Sequence, residues 1–328
     1  MGRVGSALVV SALLVACGGG SPSATCHADG PNGQRWTGSG GRCGPPSAGR
    51  VVDSVRVGGE PDGLIAAYGS LWTASFGSGR VTRIDPATHE VVRSIPTGDG
   101  AVRLAEGFGS IWVSDYRADT VARIDPASNL VTDRIDVGAE SGGLTLGGGA
   151  VWVANDLDGT VMRIDPASNR VTDTMSNIGQ DPRELAFGLG FVWVSSIDDR
   201  LVSSIDPRTL EVTRHIHVDG EPQSMQEVDG AMWLSFYDQG TVQPIYPPER
   251  RTLDAVPAGA GANPMTFVDG ALWVVGENDG TLTKIDPERG WILARTHIPV
   301  GARQPAFIDG SLWVAEFGAG TVIRVELP

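Results

Sequence analysis

Three features of the sequence predict an all-β fold, a seven-bladed β-propeller built from four-stranded blades. A tryptophan recurs every 40 or 41 residues, a glycine stands three residues before each of these tryptophans, and an Ile-Asp-Pro tripeptide follows in five of the seven repeats. The recurring tryptophans are Trp72, Trp112, Trp152, Trp193, Trp233, Trp273 and Trp313. Self-similarity at this period is the signature of propeller blades, which are stable only when they stack on their neighbours.

The glycine and the tryptophan define the first two strands, a and b, of each repeat. Strand a is partly apolar, as at residues 184–187, and ends in a tight turn at the glycine. Such a turn needs a positive φ, which glycine adopts without steric cost. Strand b places the tryptophan between apolar neighbours, as at residues 111–113. Apolar residues on both faces are expected of a blade that is covered on both sides.

Strands c and d complete each repeat. Strand c begins nine residues after the tryptophan and runs into Ile-Asp-Pro, and strand d follows, as at residues 81–86 and 91–95. We expect the tripeptide to form the c–d turn, because proline fixes φ and aspartate accepts hydrogen bonds from nearby backbone amides. The fifth repeat has Ile-Tyr-Pro at residues 245–247 instead, and Pro244 lies inside its strand c. We expect that blade to be distorted.

The two ends of the repeat array predict how the ring closes. Residues 51–58 match the pattern of strand d at residues 91–98, and the chain stops after a strand c at residues 321–325. An unpaired strand d therefore opens the array and a missing strand d ends it. We expect the first strand to complete the last blade, because this arrangement protects the edges of an open array. The propeller is predicted to span residues 51–328.

The first 50 residues predict export and attachment to a membrane. Arg3 precedes an apolar stretch at residues 9–16 that is too short to span a bilayer, which is typical of a signal peptide over residues 1–16. The tetrapeptide Leu-Val-Ala-Cys at residues 14–17 resembles the bacterial lipobox, which implies lipidation of Cys17 and an extracytoplasmic protein of the cell envelope. The alternative is an ordinary signal peptide that ends near a cysteine.

A spacer is predicted between the lipidated cysteine and the propeller. Residues 17–50 are rich in glycine, serine and proline and have no apolar period, so we expect a flexible tether. Cys26 and Cys43 lie within it and could pair as a disulfide outside the cytoplasm. His27 and Trp36 also lie in this segment and are expected to be solvated.

The charge balance argues against nucleic acid as a partner. The chain has 25 Lys and Arg against 39 Asp and Glu, a formal net charge of −14. Binding to nucleic acid depends on neutralising phosphates with basic side chains, and the sequence has no basic stripe.

The repeat resembles the YVTN and virginiamycin B lyase-like propellers of bacteria. Its pattern, Gly-x-apolar-Trp-Val-Ala/Ser followed by Gly-Thr-Val and Ile-Asp-Pro, is complete at residues 149–154, 159–161 and 164–166. The resemblance covers residues 51–328 and implies the propeller fold. It leaves the activity open, because these propellers include lyases, lactonases and binding proteins.

Candidate ligand-binding residues lie where the d–a and b–c loops meet at one mouth of the channel, the usual ligand site of propellers. Carboxylates, an amide and aromatic rings gathered there could bind a cationic or hydroxyl-rich ligand. The candidates are Glu60, Arg103, Asp115, Tyr116, Asn155, Asp156, Arg183, Glu184, Tyr237 and Glu316. The alternative is that Asp and Asn in these loops only form turns and keep the surface soluble.

The resemblance also implies two kinds of catalytic site. A lactonase-like site would hold Mg²⁺ or Ca²⁺ through oxygen ligands, for which Glu60, Asn155 and Asp198 are candidates. A virginiamycin B lyase-like site would need a histidine and glutamate acid–base pair near the mouth. The histidines after the tether fall in a c–d turn (His89) or in d strands at the outer rim (His215, His217 and His297). This placement argues against the lyase mechanism.

These observations together favour a non-catalytic binding or scaffolding module. We expect a lipid-anchored, monomeric propeller outside the cell membrane, without a cofactor. Its ligand is expected to be a small molecule, a glycan or an envelope protein that binds at an acidic mouth. The alternative is a metal-assisted lyase or hydrolase.

Overall fold

Seven antiparallel four-stranded sheets arranged in a ring make up most of the protein. The computed structural model of the chain describes residues 25–39, 43–246 and 253–328. In every blade the strands lie in the order a, b, c, d, and the a strands of neighbouring blades contact one another around the central channel. The predicted fold, an all-β seven-bladed propeller, is confirmed.

The strands are numbered in chain order. Before the ring come β1 (Thr25–Asp29) and β2 (Arg35–Ser39), joined through a short 3-10 helix (Pro31–Gly33). The first ring strand is β3 (Arg50–Arg56), which is strand d of blade 7. Strands a to d of blade 1 are β4 (Pro61–Ala67), β5 (Ser70–Ser75), β6 (Arg80–Asp85) and β7 (Glu90–Pro96). Those of blade 2 are β8 (Ala101–Gly107), β9 (Ser110–Asp115), β10 (Thr120–Asp125) and β11 (Leu130–Asp136). Those of blade 3 are β12 (Ser141–Gly147), β13 (Ala150–Asn155), β14 (Thr160–Asp165) and β15 (Arg170–Met175).

The remaining blades follow the same order. Blade 4 contains β16 (Pro182–Gly188), β17 (Phe191–Ser196), β18 (Leu201–Ile205) and β19 (Val212–His217). Blade 5 contains β20 (Pro222–Val228), β21 (Ala231–Phe236), β22 (Thr241–Tyr246) and β23 (Val256–Pro257). Blade 6 contains β24 (Ala262–Val268), β25 (Ala271–Gly276), β26 (Thr281–Asp286) and β27 (Trp291–His297). Blade 7 contains β28 (Ala302–Ile308), β29 (Ser311–Glu316), β30 (Thr321–Glu326) and β3.

Each a–b connection is a two-residue turn that contains the predicted glycine. Both turn residues have positive φ in all seven blades, for example 47° at Asp229 and 73° at Gly230. This geometry matches the right-handed twist of the flanking strands. Tyr68, Phe108 and Leu189 occupy the first turn position with φ of 50°, 52° and 56°, where a bulky side chain is strained. The glycine beside each of them makes the tight turn possible.

The seven repeated tryptophans lie between adjacent blades, as predicted. Each is at most 2% exposed. Trp152 of blade 3, for example, packs in one apolar cluster with Val192, Val194 and Ile205 of blade 4. Its indole nitrogen also donates a hydrogen bond of 2.9 Å to the carbonyl of Gly147, at the end of strand a. The same bond to the end of strand a forms at Trp72, Trp112 and Trp193, so these four tryptophans join two strands of their own blade as well as packing against the next blade.

The c–d turns use the aspartate of Ile-Asp-Pro as predicted. The Asp85 carboxylate accepts hydrogen bonds from the backbone amides of Ala87 and Thr88 at 2.8 and 3.1 Å. These bonds favour the ionised form and lower the pKa of Asp85. Equivalent amide bonds form at Asp125, Asp165, Asp206 and Asp286.

The ring closes through its two ends. Strand β3 pairs antiparallel with β30, with Val51 opposite Val325 and Arg56 opposite Thr321. His89 in the c–d turn of blade 1 contacts Asp53 of β3 through Nδ1 at 2.5 Å, and its ring meets the edge of Trp313 at 5.2 Å. The predicted closure by the first strand is confirmed.

Part of the segment predicted as a flexible tether is instead folded onto the ring. Strands β1 and β2 pair as a hairpin, and the side-chain amide of Gln34 exchanges two hydrogen bonds with the backbone of Ile292, at 2.7 and 2.8 Å. Trp36 is 9% exposed and belongs to the apolar cluster that contains Trp233. Strand d of blade 5 has only two residues, and the hairpin covers apolar surface beside it. The tether prediction is therefore wrong for residues 25–39, and so is the prediction that Trp36 is solvated.

The attachment continues up to the first ring strand. Ala48 is fully buried, and residues 46 and 48 exchange backbone hydrogen bonds with Arg295 of β27. Cys43 is in a disulfide. Its pairing with Cys26 stays a prediction, since the side chain of Cys26 lies outside the described residues, as do the signal peptide and Cys17. In the parts of the chain that the structure describes, no helix has the length and apolar character needed to cross a membrane.

Candidate functional site

A cavity of about 370 Å³ occupies the channel mouth, at the end of the ring where the b–c and d–a connections meet. The repeat builds it from three structural positions. The second residue of strand a lines it in all seven blades: Asp62, Val102, Gly142, Arg183, Gln223, Asn263 and Arg303. The residue four positions after the tryptophan lines it in six: Phe76, Tyr116, Asp156, Tyr237, Glu277 and Phe317. The third residue of strand a adds Arg103, Gly143 and Glu184.

Arg103 forms an ion-pair bridge across the channel. Its guanidinium contacts Asp62 of blade 1 and Glu184 of blade 4, with one of the bonds to Glu184, from Nε, at 2.8 Å. Burial alone would lower the pKa of Arg103, but the two carboxylates outweigh it and raise that pKa. Blades 2 and 4 are not neighbours, so the side chain reaches across part of the channel, where it lines the cavity.

Asp156 is the most perturbed carboxylate of the site. It is 3% exposed, its Oδ2 accepts a hydrogen bond of 2.9 Å from Arg183, and its Oδ1 has no hydrogen-bond partner. Burial raises the pKa of Asp156 to about 8, with Asp181 and Glu184 adding to the shift and Arg183 opposing it. A carboxyl group in a cleft with a pKa raised this far is typical of functional sites.

A second buried pair lies on the other side of the cavity. Glu277 is 3% exposed, contacts Arg303, and accepts a hydrogen bond of 2.9 Å from the amide of Asn263. Burial raises the pKa of Glu277, and Arg303 partly opposes that shift. The Arg303 guanidinium also lies 5.0 Å from the centre of the Phe317 ring, and its Nε has no hydrogen-bond partner.

Four aromatic residues line the cavity and form its aromatic wall: Phe76, Tyr116, Tyr237 and Phe317. Phe76 and Tyr116 pack against each other with ring centres 6.1 Å apart, and Arg117 lies over Phe76 at 4.3 Å. The Tyr116 hydroxyl donates a hydrogen bond of 2.7 Å to Glu140. Burial and this bond raise the pKa of Tyr116. Flat apolar faces beside buried charges can hold a ligand that has both characters.

Many acids of the mouth form turns and do not line the cavity, which supports the alternative interpretation for them. A carboxylate in each of five b–c loops accepts a hydrogen bond of 2.7–2.9 Å from a backbone amide of a d–a connection. In four cases this is the connection that leads into the same blade, and at Asp119 it is the one that leads to the next blade. These five acids are Asp119, Asp158, Asp199, Asp238 and Asp279. They brace one loop against the next, so the lining of the cavity is less acidic than the rim.

Six of the ten candidate residues line the cavity. They are Arg103, Tyr116, Asp156, Arg183, Glu184 and Tyr237. Glu60, Asp115, Asn155 and Glu316 do not. Asp115, Asn155 and Glu316 end their b strands and turn away from the channel, because side chains alternate along a strand. Glu60 is exposed and lies against Gly77.

The side chains at the ends of the b strands are used inside the protein. Asp115 is fully buried and accepts a hydrogen bond of 2.8 Å from Thr97, and burial raises its pKa to about 6. Asn155 is fully buried and bonds the amide of Gly138 at 3.1 Å and the hydroxyl of Thr160 at 3.0 Å. Glu316 accepts a hydrogen bond of 2.5 Å from Thr321.

Most of the a-strand residues that line the cavity are not among the ten sequence-predicted candidates. Asp62 and Arg303 are not candidates, although each forms an ion pair in the cavity. Asn263 and Glu277 are not candidates either, although Glu277 pairs with Arg303 and accepts a hydrogen bond from Asn263. The signal was available in the sequence. These residues occupy the same repeat positions as Arg183 and Asp156, so a strict alignment of the seven repeats would have selected them.

None of the three metal candidates lines the cavity. Within the described residues no group of three or more His, Cys, Asp or Glu side chains is arranged to hold one. The side chain of Asn155 is committed to Gly138 and Thr160, and Asp198 is exposed outside the cavity. The histidines of the ring lie away from the cavity, as expected: His89 in a c–d turn, and His215, His217 and His297 in d strands.

Fold and cavity define a seven-bladed propeller with a charged, aromatic-walled mouth. No family model and no curated protein matches the chain in sequence. Solved structures match it in fold. A streptogramin B lyase matches with a TM-score of 0.74 and 15% identity, covering 84% of this chain and 97% of the lyase.

Two further structures show the same architecture. Virginiamycin B lyase from Staphylococcus aureus matches with a TM-score of 0.73 and 14% identity, covering 84% of this chain and 99% of that one. Hydrazine synthase from Kuenenia stuttgartiensis matches with a TM-score of 0.73 and 13% identity, covering 81% of this chain and 95% of that one. The resemblance to virginiamycin B lyase-like propellers is thus confirmed for the fold.

Proposed function

We propose that the protein is a lipid-anchored, extracytoplasmic binding module that takes up a small molecule at the channel mouth. The cavity carries the proposal. Its volume of about 370 Å³ falls in the range of small-molecule sites, which are concave and combine apolar walls with a few converging polar groups. A glycan or an envelope protein would have to present a similarly small group to fill it.

The buried charges of the lining support a ligand-binding role. Arg103, Arg183 and Arg303 each contact a carboxylate inside the cavity. Replacing buried ion pairs with apolar residues is often neutral or stabilising, so charges placed in a mouth are weak evidence for stability and better evidence for recognition. The surrounding propeller holds these side chains on rigid a strands.

A thermal-shift screen of the mature chain, with panels of sugars, amines, carboxylates and cyclic peptides, tests the proposal. At least one class should raise the melting temperature, and Asp156→Asn should abolish that shift, because Asp156 lines the cavity and is almost fully buried. Asp198→Asn, at the rim outside the cavity, is the matched control and should keep the shift. A panel without any stabilising class would contradict the binding role.

A lyase of the virginiamycin B type is the second candidate, and the raised pKa of Asp156 is the observation in its favour. A neighbour of this chain was solved as a catalytically inactive histidine-to-alanine variant of virginiamycin B lyase with quinupristin. Turnover of a cyclic peptide that disappears with Asp156→Asn would support the lyase. Stabilisation by Mg²⁺ or Ca²⁺ that is lost with Glu60→Ala would revive the metal-assisted alternative.

The membrane anchor is tested separately. With the natural signal, the chain should incorporate a labelled fatty acid and sediment with membranes. Cys17→Ser should remove both properties while the propeller still folds. Soluble, unlabelled wild-type protein would contradict the lipid anchor and leave the binding role intact.

A further inference from the structure

We propose that the cavity selects a small organic cation, an amine whose ammonium group is held at Asp156 beside the aromatic wall. This inference rests on the proposed binding function and adds the charge class of the ligand. Asp156 and the residues of the aromatic wall line the same cavity, and the structure describes all of them.

The charge inventory of the lining favours a cation over an anion. The lining contains four carboxylates, Asp62, Asp156, Glu184 and Glu277, and three guanidinium groups, Arg103, Arg183 and Arg303. Every one of these arginines already contacts a carboxylate. An anion would therefore compete with a carboxylate for each arginine, whereas a cation meets an excess of negative charge once Asp156 is ionised. The formal charge of −14 for the whole chain acts in the same direction.

One carboxylate oxygen lacks a donor. Asp156 is 3% exposed, and its Oδ1 has no hydrogen-bond partner among the described residues. A buried acceptor without a partner is unfavourable, because it has lost its hydrogen bonds to water. An ammonium group would supply the missing N–H. Glycine at position 142 leaves the space beside this oxygen, because a Cβ there would lie 3.0 Å from Oδ1.

The aromatic wall is suited to the same charge. Two of its rings already accept cations, since Arg117 lies over Phe76 at 4.3 Å and Arg303 over Phe317 at 5.0 Å. Tyr116 and Tyr237 have no such partner in the described ranges. A cation over a tyrosine ring is attracted by the negative face of the ring, and the attraction is stronger in a desolvated site. An ammonium beside Asp156 can therefore use both a charge and a ring.

The protonation of Asp156 gives the inference a measurable signature. Arg183, Glu184 and Asp181 face this carboxyl group from blade 4 and the connection before it, and Tyr116 faces it from blade 2. With a pKa of about 8, much of the free protein holds a proton here at neutral pH, whereas a bound ammonium needs the ionised form. Binding should therefore release a proton, and affinity should rise with pH up to about 8.

A matched ligand series tests the charge preference. Benzylammonium, benzyl alcohol and benzoate share a ring and differ in charge. Titrations of the mature chain followed by NMR should place benzylammonium as the tightest of the three. Its affinity should rise by up to about tenfold from about pH 6.5 to about pH 7.5, where the amine stays protonated, while that of benzyl alcohol stays constant.

Three variants distinguish a direct contact between the ligand and Asp156 from long-range electrostatic attraction. Asp156→Asn should weaken benzylammonium binding by about tenfold or more and remove its pH dependence. Gly142→Ala leaves Asp156 in place and should also weaken binding, because the new methyl group occupies the space beside Oδ1. Asp198→Asn removes the same charge from an exposed position outside the cavity and should change affinity by less than about twofold, because solvent screens it.

The possible outcomes are distinct. Tightest binding by benzoate, or equal binding by all three probes, would overturn the cation inference while the binding role survives. No binding by any probe would overturn both. Equal losses in Asp156→Asn and Asp198→Asn would reduce the preference to long-range attraction and overturn the proposed contact at Asp156.

Discussion

Trp152 provides the sharpest test of how the ring is held together. Its side chain is fully buried between blades 3 and 4, where it packs against Leu185, Val192 and Val194 and donates a hydrogen bond to the carbonyl of Gly147. Trp152→Ala removes the indole from this interface. Trp152→Phe keeps most of the apolar area and removes only the N–H donor and part of the ring.

The expected losses follow from area and hydrogen bonding. A buried tryptophan removes about 150–250 Å² from water, which corresponds to about 4–6 kcal/mol at 25 cal/mol per Å². Part of this is recovered when neighbours relax into the space, so Trp152→Ala should lower the free energy of unfolding by about 3–5 kcal/mol. Trp152→Phe should lower it by about 1–2 kcal/mol, mainly because the Gly147 carbonyl loses its donor.

Equilibrium urea unfolding followed by far-UV circular dichroism measures both values. Trp291 on the outer strand of blade 6 is the control, because it is only partly buried. Trp291→Ala should cost about 1 kcal/mol or less, as expected for a partly exposed side chain. A loss below about 1 kcal/mol for Trp152→Ala, or equal losses at the two tryptophans, would refute the view that the inter-blade indoles dominate stability.

Three further predictions concern the ion pairs and the docked hairpin. Arg103→Met should lower unfolding stability by about 3 kcal/mol in denaturant melts, because it leaves two largely buried carboxylates without their partner; a loss below about 1 kcal/mol would contradict the ion-pair bridge. Gln34→Ala should increase hydrogen exchange at the amide of Ile292, since its acceptor is removed; unchanged exchange would mean that the hairpin does not dock. For Asp156 the folded pKa of about 8 exceeds the ordinary value of 3.8, so the folded state binds the extra proton and stability falls as pH rises between these values. Asp156→Asn should flatten this part of the stability–pH profile in denaturant melts, and an unchanged slope would place the titration elsewhere.

The ring could be predicted in detail from the sequence because its signals repeat. A single apolar b strand would not identify the fold. Seven copies at a fixed interval predict a propeller, in which each tryptophan packs against the next blade. The glycine turns and the closing strand were predictable for the same reason. The first and last segments, residues 51–58 and 321–325, carry the d and c strands of one blade.

The cavity was predictable only in part, because loop composition does not reveal which way a side chain points. Asp115 and Asp156 are both acids near the ends of b strands, yet one is buried beside Thr97 and the other lines the mouth. A difference of one repeat position decides between these outcomes. The ion pair between Arg103 and Glu184 joins blades that are not neighbours, and no local pattern signals such a contact.

The docked hairpin was missed because composition alone suggested a flexible spacer. Gln34 and Trp36 lie among glycines and prolines without any apolar period. Their partners, Ile292 and the surface beside the short strand of blade 5, are about 250 residues away in the chain. Local sequence statistics cannot detect a contact that depends on a defect in a distant blade.

That hairpin also governs how the protein would sit on a membrane. If Cys17 carries lipid, only eight chain steps separate it from Thr25, a reach of about 28 Å when fully extended. This short linker would join the propeller at the outer edge of the ring, because the hairpin packs beside blades 5 and 6. The disc could not revolve freely above the bilayer. Blade 2 lies on the opposite side of the ring. It would therefore stay farthest from the membrane and be the blade most accessible to another macromolecule.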